Sequence, residues 1–165
     1  MTSQGNFSHL DAQGNAHMVD VSDKPVTRRV AEASCRVLLS AQTVIRLANL
    51  PKGDAFAVSR LAGIQGAKRA SELIPLAHPL PLDQIEIEVL PIPEGVEIRS
   101  LVVATARTGA EMEALTACAT AALALYDMVK AVERGAVITD LRLESKSGGR
   151  SGAYHRGEDR RMIGE

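Results

Sequence analysis

The uncharged stretch Ala114-Leu-Thr-Ala-Cys-Ala-Thr-Ala-Ala-Leu-Ala-Leu-Tyr126 decides the fold of this chain. It predicts a helix that is apolar on nearly every side, and such a helix is expected to be buried on nearly every side. A sheet covers only one side of a helix. We therefore expect a second subunit to pack against the other side.

The helix continues into Asp127-Met-Val-Lys130, where two charged groups lie three residues apart on one helix face. Burying an ionised carboxylate costs on the order of several kcal/mol unless it is paired or lies in a polar cavity. The pair can therefore be a helix-end ion pair that satisfies itself, which is the commoner case, or two groups that reach a common ligand. We expect Asp127 and Lys130 to be largely buried in either case.

The flanking patterns predict an α+β domain with the element order β-α-α-β-β-α-β. Alternation of apolar and polar residues indicates strands over 29–39, 85–89 and 96–105, and a final strand is expected over 136–144. The second and third strands are joined by a short turn and form a hairpin. The predicted helices span 40–49, 55–74 and 111–135. This order is ferredoxin-like, an antiparallel sheet with helices on one face, with one added helix.

Local signals mark the ends of the predicted helices. Ser40 and Asp54 are expected N-caps, and Pro75 ends the second helix. Thr108 opens the long helix in a pattern like a capping box, and Gly135 closes it. Within the second helix, Gly63 and Gly66 are expected to serve close helix packing more than ligand approach.

The bulk composition indicates one soluble domain. The chain has 165 residues, of which 45% are hydrophobic and 24% charged, and its net charge of -1 argues against general nucleic-acid or membrane-surface binding. We predict a loosely ordered N-terminal arm (1–25), a single catalytic domain (26–147) and a flexible C-terminal tail (148–165). The start shows no leader pattern, and the longest apolar run is expected to be too short to span a bilayer. Cys35 and Cys118, expected as buried free thiols, fit a cytoplasmic protein.

Several segments combine glycine with a cation, a pattern that favours phosphate. Glycine lets backbone N–H groups approach an anion, and lysine supplies a point charge. Taken singly, each segment can be a solvated turn or hinge; together they suggest a polyanionic ligand. No segment matches the P-loop pattern. The segments are Lys52-Gly53-Asp54, Gly66-Ala-Lys68-Arg and Lys146-Ser-Gly-Gly-Arg150-Ser-Gly152.

Two further motifs can be structural or functional. His78 lies in a loop stiffened by prolines at 75, 79 and 81, and a lone loop histidine is more often structural. The other histidines do not share metal-ligand spacing with it, so no metal site is predicted. Glu111, Met112 and Glu113 open the long helix, where acids complement the positive helix end. The two acids that flank the methionine can instead hydrogen-bond to a purine-like edge.

Six segments together resemble the MoaC family, over about residues 9–152. They are Met18-Val-Asp-Val21, Ala62-Gly-Ile-Gln-Gly-Ala-Lys-Arg69, Leu73-Ile-Pro-Leu-Ala-His-Pro-Leu80, Thr108-Gly-Ala-Glu-Met-Glu-Ala-Leu-Thr116, Tyr126-Asp-Met-Val-Lys-Ala-Val132 and Lys146-Ser-Gly-Gly149. The resemblance implies a cyclic pyranopterin monophosphate synthase of molybdenum-cofactor biosynthesis. This family converts 3′,8-cyclised dihydro-GTP to cyclic pyranopterin monophosphate and releases pyrophosphate, with no required metal or organic cofactor. It implies a homo-hexamer, a trimer of dimers, with active sites between two subunits.

The resemblance also assigns residues. Asp127 matches the catalytic aspartate and Lys130 its companion lysine, and we expect them to act as an acid/base pair in which a desolvated lysine loses its proton near neutral pH. One departure is plain, because Ala77 stands where the family usually has cysteine. We expect the family's cysteine to contact the substrate without taking part in catalysis. The residues matched to substrate binding are Leu76, Ala77, His78, Met112, Glu113, Lys52, Lys68 and Lys146.

The alternative reading is a non-enzymatic oligomeric protein that binds a nucleotide or pterin phosphate. The same lysines and glycines would serve it. A buried carboxylate beside the ligand would not, because a pure polyphosphate binder gains nothing from it.

Overall fold

The computed structural model describes residues 13–47, 50, 52–150 and 152–159. The outer parts of the predicted arm and tail, residues 1–12 and 160–165, lie outside the described residues, as does the predicted end of the first helix at 48–49.

An antiparallel sheet forms one layer, and the main helices form the other, so the α+β prediction is confirmed. The strands are β1 (Thr27–Leu38), β2 (Leu82–Ile92), β3 (Gly95–Ala106), β4 (Val137–Ser147) and β5 (Tyr154–His155), in the spatial order β2-β3-β1-β4-β5. The helices are α1 (Ala41–Arg46), α2 (Ala55–Lys68), α3 (Ala70–Leu73), α4 (Glu111–Val129) and α5 (Arg156–Asp159).

Strand alternation located the main strands correctly, and the predicted hairpin joins β2 to β3 with Ile92 opposite Gly95. β1 lies at the centre of the sheet, pairing with β3 on one side and β4 on the other. Each strand extends beyond its alternating run because the backbone ladder continues where the side-chain pattern weakens. Tyr154 pairs with Lys146, which adds β5 to the edge beside β4.

Two helix ends differ from prediction. The helix expected over 55–74 is interrupted at Arg69, whose φ of -110° and ψ of 10° leave the helical region, so α2 and α3 are separate. The capping box at Thr108 is wrong. α4 begins instead after Ala110, which makes no side-chain cap, and Ala114 N–H donates to the Ala110 carbonyl.

The long helix also ends earlier than predicted. Val129 is its last residue and Lys130 its C-cap. Val132 and Glu133 both donate N–H groups to the Val129 carbonyl, a tight turn that stops the helix before Gly135 is reached. This end decides where the charged pair lies.

The core lies between α4 and the inner face of the sheet. Ser100 on β3 donates its hydroxyl to the Ala114 carbonyl at 2.8 Å, which ties helix to sheet. Cys35 and Cys118 are both buried free thiols, as predicted. Fully buried members of this core include Ala31, Val37, Val96, Ile98, Val102, Ala117, Ala121 and Leu125.

The outer side of α4 is covered in part by α2 of the same chain, so a second subunit is not the only cover. A Cβ at Gly63 would lie 3.1 Å from the Ala117 carbonyl oxygen, and a Cβ at Gly66 would collide with Thr120. The expectation that these glycines serve helix packing is confirmed. Leu123 remains 59% exposed on α4.

α4 is long and apolar enough to cross a membrane by length and composition alone, with a mean hydropathy of 1.3. The expectation that the apolar run is too short is therefore wrong on length. What marks α4 as the core helix of this fold is its packing against the sheet and α2.

Candidate active site

One charged cluster lies at the C-terminal end of α4. The Asp127 carboxylate accepts from Lys130 Nζ at 2.6 Å and from Lys52 Nζ at 3.0 Å. Lys52 Nζ also donates to the Asp127 backbone carbonyl at 2.9 Å. Lys52 reaches the cluster from the turn that precedes α2. The structure therefore brings together three residues that the sequence assigned to one site.

The predicted burial of this pair is wrong. The side chains of Asp127 and Lys130 are 55% and 52% exposed, because they lie on the same face of α4 as the exposed Leu123, which the rest of the chain leaves uncovered. Hydrogen bonds and charge from Lys130, then from Lys52, hold the pKa of Asp127 below its ordinary value. The same contact with Asp127 raises the pKa of Lys130. In the single subunit this contact favours the protonated form of Lys130, and the expected deprotonation of a desolvated lysine stays a prediction for a site between subunits.

Five of the other predicted site residues, at positions 76–78, 112 and 113, line a cavity beside the N-terminal end of α4. We call it the substrate cavity because the family resemblance matches these residues to substrate binding; its volume is about 260 Å³. His78 is fixed there, with Nε2 2.9 Å from the Val19 carbonyl oxygen. The lining residues are Val19, Val21, Lys24, Leu76, Ala77, His78, Thr108, Gly109, Glu111, Met112 and Glu113.

Glu113 is a buried acid in the wall of this cavity. It is only 3% exposed, and burial, with a further contribution from the charge of Glu111, raises its pKa to about 7. A carboxyl group in this range can exchange a proton near neutral pH. Sequence reasoning missed this property, because burial of Glu113 depends on residues distant in the chain.

Lys146 lies at the rim of the substrate cavity, and Lys68 stands apart from Lys52. Lys146 Nζ is 2.9 Å from Glu111 Oε1, which places β4 beside the first turn of α4. Lys68 is the exposed last residue of α2, while Lys52 precedes the first. At about 1.5 Å per residue, α2 separates these two lysines by about 20 Å.

The two groups of predicted site residues lie at opposite ends of α4. The axial separation of Glu113 and Asp127 is about 21 Å at the helical rise of about 1.5 Å per residue. A side chain reaches only a fraction of that distance. One subunit therefore does not bring the Asp127 cluster and its own substrate cavity to one reacting atom.

A second, basic cavity adjoins the substrate cavity. Its volume is about 460 Å³, and its cations are Arg150, which lies in a glycine–cation segment of the sequence, and Lys24, Arg29 and Arg107, which the sequence did not single out. A depression on the open face of the sheet is lined by both signs of charge, with five glutamates and the arginines Arg99 and Arg142 in its wall. In the part of the chain that the structure describes, no group of three or more His, Cys, Asp or Glu could hold a metal ion.

Comparison with known proteins gives one consistent result. The model of the MoaC family matches residues 18–149. A protein of Streptomyces griseus subsp. griseus is 53% identical over 94% of this chain and 89% of its own length. Proteins of Nostoc sp. and Thermomicrobium roseum are each 51% identical, over 92% and 93% of this chain and 93% and 95% of their own lengths. All three are named cyclic pyranopterin monophosphate synthase.

Proposed function

The chain belongs to the MoaC family, and from that premise we propose that the Asp127 cluster of one subunit and the substrate cavity of another form one active site. The function is that of a cyclic pyranopterin monophosphate synthase in molybdenum cofactor biosynthesis, and the enzyme is a lyase. The observation that carries the site proposal is the separation of about 21 Å between Glu113 and Asp127 along α4.

The substrate is 3′,8-cyclised dihydro-GTP, and the reaction rebuilds its base and closes a cyclic phosphate. In the closing step a sugar hydroxyl oxygen forms a bond to the α-phosphorus. The bond from that phosphorus to the oxygen bridging to the β-phosphate breaks, and diphosphate leaves with the electron pair. The hydroxyl proton passes to a base. Each step needs a proton acceptor, a proton donor and positive charge beside the leaving anion.

The Asp127 cluster supplies a base and a cation. The carboxylate of Asp127 is ionised at neutral pH and can accept a proton, and its lysine partners lower its pKa further. Lys130 keeps its proton and can donate it or stabilise developing negative charge. Lys52, bonded to both the side chain and the carbonyl of Asp127, holds the carboxylate in place.

The substrate cavity supplies the binding contacts. Glu113, Met112, Leu76, Ala77 and His78 all line this cavity. In the proposal, Glu113 hydrogen-bonds to the polar edge of the base, and the other four contact the substrate. Lys68 and Lys146 add positive charge for the phosphates. No metal or organic cofactor takes part in this proposal.

The oligomer follows from the same geometry. The two clusters meet only if a second copy brings its Asp127 end to the cavity, which suits a twofold dimer with two identical sites. Ile45, Leu61 and Leu123 are 80%, 68% and 59% exposed, and such side chains favour further subunit contacts. We propose the family's homo-hexamer, a trimer of dimers, in the cytoplasm. The strand order β2-β3-β1-β4 supports a ferredoxin-like subunit.

The test is turnover of the cyclised dihydro-GTP with EDTA present. The rate is measured from the release of pterin product and diphosphate. Asp127→Asn and Lys130→Ala are compared with Glu72→Gln, an exposed acid on α3 that is not among the lining residues of the substrate cavity. General acid/base work contributes about 10²–10⁴-fold, so Asp127→Asn should lose at least that much while Glu72→Gln stays near wild type. More than about a tenth of the wild-type rate in Asp127→Asn would exclude this role. Tight binding without product in the wild type would favour the nucleotide-binding alternative.

A further inference from the structure

The basic cavity beside the substrate cavity has the composition of an anion site. Cations come from the N-terminal segment, from β1, from the end of β3 and from the loop after β4, and none of the lining residues is acidic. The lining residues are Lys24, Pro25, Thr27, Arg29, Arg107, Thr108, Gly109, Gly149 and Arg150.

Arg29 is a buried charge held by neutral partners. It is 7% exposed, and its guanidinium donates to the carbonyls of Ala106 at 3.3 Å, Arg107 at 3.0 Å and Gly148 at 3.0 Å. A Cβ at Gly149 would collide with this guanidinium, so the loop after β4 closes on Arg29 only because glycine stands there. The carbonyls accept the hydrogen bonds of the guanidinium but do not neutralise its positive charge. A bound anion would neutralise that charge.

The Thr27 hydroxyl is a second, independent observation that points to an anion site. Thr27 Oγ1 is buried in the cavity wall and has no hydrogen-bond partner in the part of the chain that the structure describes. Buried hydroxyls are nearly always partnered. An anion oxygen in the cavity would accept this hydrogen bond.

The position of the cavity indicates which anion it takes. It shares Lys24, Thr108 and Gly109 with the substrate cavity, so one ligand can lie across both. We propose that the basic cavity binds the diphosphate end of the substrate and retains diphosphate after the phosphorus–oxygen bond breaks. This inference rests on the proposed function and adds a subsite to the lysines at 52, 68 and 146. Arg29 fixes the walls, while Lys24, Arg107 and Arg150 contact the phosphates.

Calorimetric titration of the wild-type protein with inorganic diphosphate tests the subsite without turnover. The variant Lys24→Gln/Arg150→Gln removes two cations from the cavity. The control Arg46→Gln/Arg60→Gln removes the same charge from exposed positions on α1 and α2. We expect diphosphate affinity to fall at least about tenfold in the first variant, since each bond to a charged group is worth about that factor, and to stay within about twofold in the control. Equal losses in both, or none in either, would overturn the proposal.

Thr27→Val provides a second test that leaves the charge intact. It removes only the unpartnered hydroxyl, so weaker diphosphate binding with an unchanged melting temperature supports the subsite, and unchanged binding refutes the role of this hydroxyl. The subsite and the proposed function can fail separately. Diphosphate binding lost in the cavity variant, without substrate turnover by the wild type, would refute only the function. Normal turnover with unchanged KM and unchanged diphosphate inhibition in the cavity variant would refute only the subsite.

Discussion

Two inactive variants are expected to restore each other's activity when they share an oligomer. Asp127→Asn disables the cluster at the C-terminal end of α4, and Glu113→Ala disables the substrate cavity at the N-terminal end. Each alone is expected to lose at least about 100-fold in rate. Because about 21 Å of helix separates the two positions, each site takes one group from each subunit.

The expected recovery follows from twofold symmetry. With random pairing, half of the dimers are hybrids. In each hybrid one site receives both intact groups and the other receives both altered groups. About a quarter of all sites are then intact, so the mixed protein should reach about a quarter of the wild-type rate.

The assay uses co-expression of the two variants with different affinity tags and turnover of the cyclised dihydro-GTP. A matched control pairs Asp127→Asn with Lys130→Ala, which alter the same cluster and should restore nothing. Purification on both tags in sequence enriches hybrids and should raise the recovered rate. Mixed oligomers no more active than either variant alone would refute the composite site.

Three further changes test the structure at single positions. Glu113 has a folded pKa of about 7 against an ordinary value of 4.5, so the stability given by its neutral form is complete below about pH 4.5 and is lost as the pH rises to about 7. In urea unfolding, the free energy of unfolding of Glu113→Gln should therefore exceed that of the wild type by about 3 kcal/mol at pH 8 and by much less at pH 5. An equal difference at the two pH values would contradict the raised pKa. Gly66→Ala should destabilise by about 1–3 kcal/mol through collision with Thr120, whereas Gly135→Ala, where a Cβ meets open space, should be near neutral by thermal unfolding. Ala77→Cys should change the turnover rate by less than about threefold if the side chain at position 77 only contacts the substrate. A gain of about tenfold or more would show that the thiol contributes to catalysis.

Strand positions could be predicted because they depend on local alternation. The inward residues of β3, from Val96 through Ile98 to Val102, follow the period of two and are buried. Helix ends were less predictable. The end of α4 at Val129 depends on a turn in which Val132 and Glu133 share one carbonyl, which no residue type in the sequence marks.

Exposure of the candidate site could not be predicted from the apolar run, which alone suggests burial on every side. Asp127 lies four residues after the exposed Leu123, on the face of α4 that the rest of the chain leaves uncovered, while the next residues, Met128 and Val129, are still in the core. Glu113 differs from expectation in the opposite direction, because it is buried. A glutamate in the first turn of a helix is usually solvated, yet packing around the substrate cavity buries it.

The sequence by itself determined the α+β class, the strand pattern, the resemblance to a family and the residue types available for chemistry, because these follow from local composition and spacing. Only the tertiary structure decided which of those residues meet. The length of α4 holds Asp127 and Glu113 about 21 Å apart, and folding of β1, β3 and β4 gathers the cations of the basic cavity from distant segments. Burial, pKa and cavity composition depend on contacts between residues far apart in the chain, and no local pattern records those contacts.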